Sequence, residues 1–81
     1  MDKKYQKIYN QINNELDKRE MSTNKLSLEL DYDVKAVYHA FNNPNSGPSK
    51  KMLERIADYF NMACVYYRGE YSLESVGVAN E

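Results

Sequence analysis

The chain has 81 residues, 42% hydrophobic and 28% charged, and a formal net charge of −1. A chain this short makes one domain and buries only about 60% of the surface its unfolded form exposes, so compact packing, and a partner subunit if one exists, must hold it together. Its ordinary composition argues against a disordered chain, and the near-zero net charge by itself argues against a nucleic-acid binder, whose domain is usually basic.

In chain order, Tyr5, Ile8, Ile12 and Leu16 recur at steps of three and four, which predicts an amphipathic helix from Asp2, a candidate N-cap, to about Glu20. Ser22, Thr23 and Asn24 form a cluster of capping residues before Leu26 and Leu30, which predicts a short second helix broken by Asp31-Tyr32-Asp33. A third helix is expected to start behind Asp33 as N-cap, with Val34, Val37, Ala40 and Phe41 inward and Lys35, Tyr38, His39 and Asn42 outward. It must stop before NNPNSGP, a loop by its turn chemistry. Ser49 should cap a fourth helix whose buried face is Leu53, Ile56, Ala57 and Phe60, ended by Asn61. Ala63 to Tyr67 is read as a short fifth helix closed by Gly69, and the weakly patterned YSLESVGVANE as a tail. The expected architecture is all-α, a compact bundle of four to five short helices. Residues 1–69 would form the domain, and 70–81 a C-terminal tail that is disordered or makes a dimer contact.

Charge is unevenly spread. Residues 1–33 carry six basic and seven acidic groups; residues 34–56 carry Lys35, Lys50, Lys51 and Arg55 against Glu54; residues 57–81 carry Arg68 against four acids. The sums are −1, +3 and −3, so positive charge concentrates on the third helix and the segment after it. The lone cysteine, Cys64, excludes an intramolecular disulfide and reads as a small hydrophobe, which suits a reducing cytosol. No run of about 18 apolar residues is present, and MDKKYQKIYN lacks the apolar core of a signal peptide, so a cytoplasmic location is expected. His39 has no partner at ligand spacing and no nucleophile stands beside a base, so neither metal, cofactor nor enzymatic chemistry is expected.

Two short helices, a tight turn, a loop and a capped amphipathic helix fit a helix-turn-helix, although periodicity alone does not separate that motif from other small bundles. The wording of MSTNKLSLELDYDVKAVYHAFNN and PSKKMLERIADYFNM, with its Leu-x-x-Ile-Ala-x-x-Phe core, resembles the lambda-repressor-like, Cro-type helix-turn-helix family of the xenobiotic-response-element class. ACVYYRG is similar to that family's fifth helix, and the resemblance runs from about Met21 to Gly69. It implies that Ser27 permits close crossing of two helices, that Asp31 occupies the left-handed turn position where glycine is usual, and that Val37 is the buried aliphatic of the recognition helix.

By the same resemblance Val34, Lys35, Tyr38 and His39 would contact bases. Ser22, Thr23, Asn24, Asn42, Asn43, Asn45, Ser46, Lys50 and Lys51 would contact phosphate. The implied function is transcriptional regulation by a homodimer on a pseudo-palindromic operator in double-stranded DNA, with the third helix in the major groove. The alternative is a small phage or mobile-element protein that uses the same fold to bind a host protein, as an antirepressor or a nuclease or polymerase inhibitor. Asp31, Asp33 and the absence of arginine from the third helix favour it. For the dimer, the first candidates are Cys64, Tyr67, Tyr71, Leu73, Val76 and Val78.

Overall fold

A computed structural model describes residues 1–43 and 45–76 of the chain. The Lys4 amide donates to Asp2 Oδ1 at 3.1 Å and opens one 3-10 turn, Lys3–Tyr5, which leads into α1, Gln6–Lys18. Ile8, Ile12 and Leu16, four apart, are buried along α1, with charged and amide side chains on its other faces. The helix stops where Glu20 turns left-handed, φ 55°, and the Met21 amide returns to the Leu16 carbonyl at 2.9 Å.

Ser22 caps α2, Thr23–Glu29, by accepting from the Lys25 amide at 3.0 Å. Asp31 then adopts φ 63°, the left-handed conformation expected of this turn position. α3, Ala36–Asn42, begins three residues after Asp33, which does not cap it through its side chain; its carbonyl accepts from the Ala36 amide instead. Val34 therefore lies in the turn, 46% exposed, and does not join the inward stripe of Val37 and Phe41. Ser49 caps α4, Lys50–Tyr59, as expected, and Asn61 ends it at φ 58°.

The fifth helix is not there. Met62–Tyr67 is a strand, β1, paired antiparallel with β2, Glu70–Ser75, from Met62 opposite Ser75 to Tyr67 opposite Glu70. Arg68 and Gly69, φ 53° and 81°, form the two-residue turn, whose double left-handed geometry matches the twist of a hairpin. The fold is thus mixed α/β, four α-helices and a two-stranded sheet among the described residues, and not an all-α bundle. Gly69 is a hairpin turn residue and not a helix cap, and β2 returns to the core, where Leu73 is buried. Val78, a candidate dimer residue, lies outside the described residues.

The core joins all of these pieces. Ile8, Ile12 and Leu16 of α1 meet Leu26, Val37, Phe41, Leu53, Ile56, Phe60 and Leu73 in one cluster. Tyr5 links its far corners, stacked on Tyr71 of the hairpin at 5.4 Å and edge-on to Phe41 of α3 at 6.3 Å. Its ring also lies against Gly47, where a Cβ would overlap it, so the loop after α3 needs glycine for close approach. Among the described residues no helix is long and apolar enough to cross a membrane.

Candidate nucleic-acid interface

α2 and α3 are locked together by one hydroxyl. Ser27 is fully buried; its Oγ–H donates to the Thr23 carbonyl at 3.1 Å, and its oxygen accepts from the Val37 amide at 3.0 Å. That amide belongs to the first turn of α3, where backbone donors have no partner within the helix. Ser27 thus serves α3 as a cap supplied by its neighbour, which explains why Asp33 is not needed for it. The small side chain also lets the helices cross closely, the role expected of this position.

The other end of α2 is fixed by Arg55 of α4, which donates to the Leu30 carbonyl at 2.6 Å and covers the Tyr32 ring at 4.8 Å. This use takes one of the four cations of the positive segment into the scaffold. Around the turn, Lys25 pairs with Glu29 at 3.2 Å, whereas Lys35 forms no ion pair among the described residues. Asp31 and Asp33 are exposed beside it.

Ser22, Thr23 and Asn24 at the start of α2 line a single open hollow of about 270 Å³ with Lys35 and Tyr38 at the start of α3. A second hollow, about 390 Å³, runs on from Tyr38 along α3 past His39, Asn42 and Asn43. Tyr38, 48% exposed, borders both, with its ring 5.9 Å from that of His39. Three of the residues expected at bases and five of those expected at phosphate therefore form one continuous polar face. The Ser22 oxygen is occupied by the Lys25 amide, which leaves its hydroxyl proton to donate outward.

Asn42 and Asn43, although on this face, are already engaged, and the remaining expected contacts fall elsewhere. Asn42 gives its amide protons to the Tyr38 carbonyl at 2.8 Å and the Tyr9 hydroxyl at 3.3 Å, so it faces outward as an acceptor, a poor match for phosphate. Asn43 accepts from the Asn45 amide at 2.9 Å in a local turn. Asn45 and Ser46 line a separate hollow with Asp2, Lys4, Tyr5 and Gly47. Lys50 and Lys51 are exposed on the first turn of α4; Lys50 lies within Coulombic reach of Cys64, on the hairpin side.

Tyr9 escaped the sequence reading because it stands outside the α1 stripe of Tyr5, Ile8, Ile12 and Leu16, where nothing local marks it for a partner. Its ring stacks on Phe41 at 4.7 Å, and its hydroxyl, accepting from Asn42, keeps a proton to donate at the end of α3. No signal within α1 alone could reveal this, since the partner is 33 residues away. Burial pushes the Cys64 thiol up, an effect increased by Glu54 and opposed by Lys50, which fits a packing residue and not a nucleophile. Comparison of the chain with protein-family models, with curated proteins and with solved structures finds no match.

Proposed function

We propose that the protein is a sequence-specific DNA-binding regulator that places α3 in the major groove and acts as a homodimer on a pseudo-palindromic operator. The observation that carries this reading is the shared hollow at the start of α2 and α3, which gathers hydroxyl and amide donors next to Lys35 and Tyr38. Donors at the end of one helix suit a phosphate. A lysine and a tyrosine on the next suit base edges one step deeper in the groove. The Ser27 lock supports it as well, because a reading helix must keep its angle to the helix that meets the backbone. Resemblance to the lambda-repressor-like family supports the same assignment over α2, α3 and α4.

Lys35 has the central role, donating to guanine O6 and N7. Tyr38 and His39 follow along α3, Val34 packs on a thymine methyl, and Ser22, Thr23, Asn24 and the Tyr9 hydroxyl hold phosphates. The test is selection of bound DNA from a random pool, followed by titration of the selected site against salt. About four to six phosphate contacts per dimer give a log-log slope near −4 to −5, and Lys35→Ala should weaken the selected site more than random DNA. Absence of binding at low salt would end this reading.

A second reading, attachment to a host protein through the same face, is favoured by Asp31 and Asp33, both exposed at the turn before α3. A stable 1:1 complex with a host protein, formed by a chain that selects no DNA, would support it.

A further inference from the structure

The outward face of the hairpin holds a buried hydroxyl with nothing to bond. Leu73 turns into the core, so Glu70, Ser72 and Glu74 point the other way, and across the sheet they stand opposite Tyr67, Val65 and Ala63. Ser72 lies at the centre of this grid and is only 7% exposed. Its main chain is spent on Val65, because Leu73 gives its own amide and carbonyl to Gln11 at 2.7 and 3.1 Å and neighbouring pairs alternate along an antiparallel ladder. Among the described residues its hydroxyl has no hydrogen-bond partner. A buried polar group left unpaired costs stability, so a group that completes it is to be sought.

The hydroxyl opens into a hollow of about 310 Å³ lined by Lys7, Val65, Tyr67, Glu70, Ser72 and Glu74. That volume sits at the lower end of the roughly 300–1,000 Å³ of small-molecule sites, which suits a small ligand. Both signs of charge border the hollow, and they are not spent on each other: among the described residues Lys7, Glu70 and Glu74 form no ion pair. Lys7 stands one turn before Gln11, whose bonds to Leu73 hold this face of α1 against β2. Tyr5 stacks on Tyr71 while Gln11 holds Leu73, so α1 and β2 run the same way and Lys7 comes level with the Glu70 half of the strand. Glu74 is the carboxylate at the far end.

We propose that this hollow binds a free α-amino acid with an apolar side chain. Its carboxylate pairs with Lys7, its ammonium donates to Ser72 Oγ and to Glu74, and its side chain lies on Val65 and Tyr67. An amine alone would leave the Lys7 ammonium facing like charge, and an acid alone would face two carboxylates; a zwitterion meets both signs. The hollow shares no residue with the face proposed for DNA. It is tested on the protein alone, so either reading can fail without the other.

Amide chemical shifts of the full chain, followed by NMR as leucine is added, should move at Lys7, Val65 and Ser72 and give a dissociation constant on the order of 0.1–1 mM, as suits a small ligand in an open hollow. Isoamylamine, which is leucine without its carboxylate, and isocaproate, which lacks the ammonium, should each bind at least about tenfold more weakly. Glu74→Gln should weaken leucine about tenfold without weakening isocaproate, and Lys7→Met should do the same without weakening isoamylamine. Ser72→Ala should weaken leucine and isoamylamine and leave isocaproate unchanged. Thermal unfolding checks the fold of each variant; Lys7 and Glu74 are exposed, so those two decide if Ser72→Ala does not fold. Leucine that moves no amide of the hollow up to about 20 mM, or a singly charged analogue that binds as tightly as leucine, overturns the proposal and leaves the hydroxyl to water.

Discussion

The α2–α3 pair is locked within itself, and the hairpin is tied to α1, by one polar side chain that satisfies two backbone groups, yet the two ties differ in what surrounds them. Ser27 is fully buried, and water cannot replace it at the Val37 amide. Gln11 and Leu73 meet in a part-buried setting, where water can take over. The helical pair is therefore fixed from within, and only its side chains are offered to a partner. The hairpin is fixed from outside, along the edge that faces α1.

Tyr5 joins these regions, and the largest effect should come from moving it. Gly47→Ala drives a methyl into a ring already held by Tyr71 and Phe41, so the ring must leave one or both. We expect a loss of about 2–3 kcal/mol, typical of overpacking, measured by denaturant unfolding. Chemical-shift changes should reach both Phe41 and Leu73. Changes confined to the loop would mean that the regions are independent.

Ser27→Ala comes next. It leaves the Val37 amide buried without an acceptor and should cost about 2 kcal/mol. Hydrogen exchange separates the regions: the Val37 amide should lose protection beyond the global change while Leu73 keeps its own. Gln11→Leu should do the reverse, at about 1 kcal/mol, because the freed groups of Leu73 can hydrate. If both variants relaxed both amides equally, the contrast between the two ties would be wrong.

The helical half was legible for a simple reason. Apolar stripes at 3.6-residue spacing and serines at helix entries are local signals, and Ile8, Ile12 and Leu16, Ser22 and Ser49 all act as read. The start of α3 was misplaced because its cap comes from Ser27, ten residues earlier in the chain. The hairpin was missed because a short apolar run such as ACVYY fits helix or strand, and Gly69 reads equally as a helix-closing cap. The strand signals were present in EYSLES, where Tyr71 and Leu73 alternate with Glu70, Ser72 and Glu74, and in Arg68-Gly69 as a two-residue turn. Of the face proposed for DNA, Lys35, Tyr38 and the start of α2 could be read locally; the engagement of Asn42 by Tyr9 could not.

The smallest effect belongs to α1, which both regions share. Glu15 is clasped by Arg19 at 2.6 Å and Lys18 at 3.2 Å, and Arg19 also covers the Phe60 ring at 4.7 Å. The Arg19 hydrogen bond holds the Glu15 carboxyl below its ordinary value of 4.5, partly opposed by burial and aided by Lys18. A carboxyl depressed in the folded state adds stability that is fully present above the unfolded value and disappears as pH falls through the folded one. Because both cations are solvent-accessible, the contribution is only about 0.5 kcal/mol. Glu15→Gln should therefore be less stable than the parent chain by about that amount at pH 7, with the difference vanishing as pH falls through the depressed folded-state value. Val37 and Leu73 should lose equal protection, since removal of this clasp favours neither the helical pair nor the hairpin. A difference that persisted undiminished into acid would show that the Arg19–Phe60 packing, and not the carboxylate charge, had been disturbed.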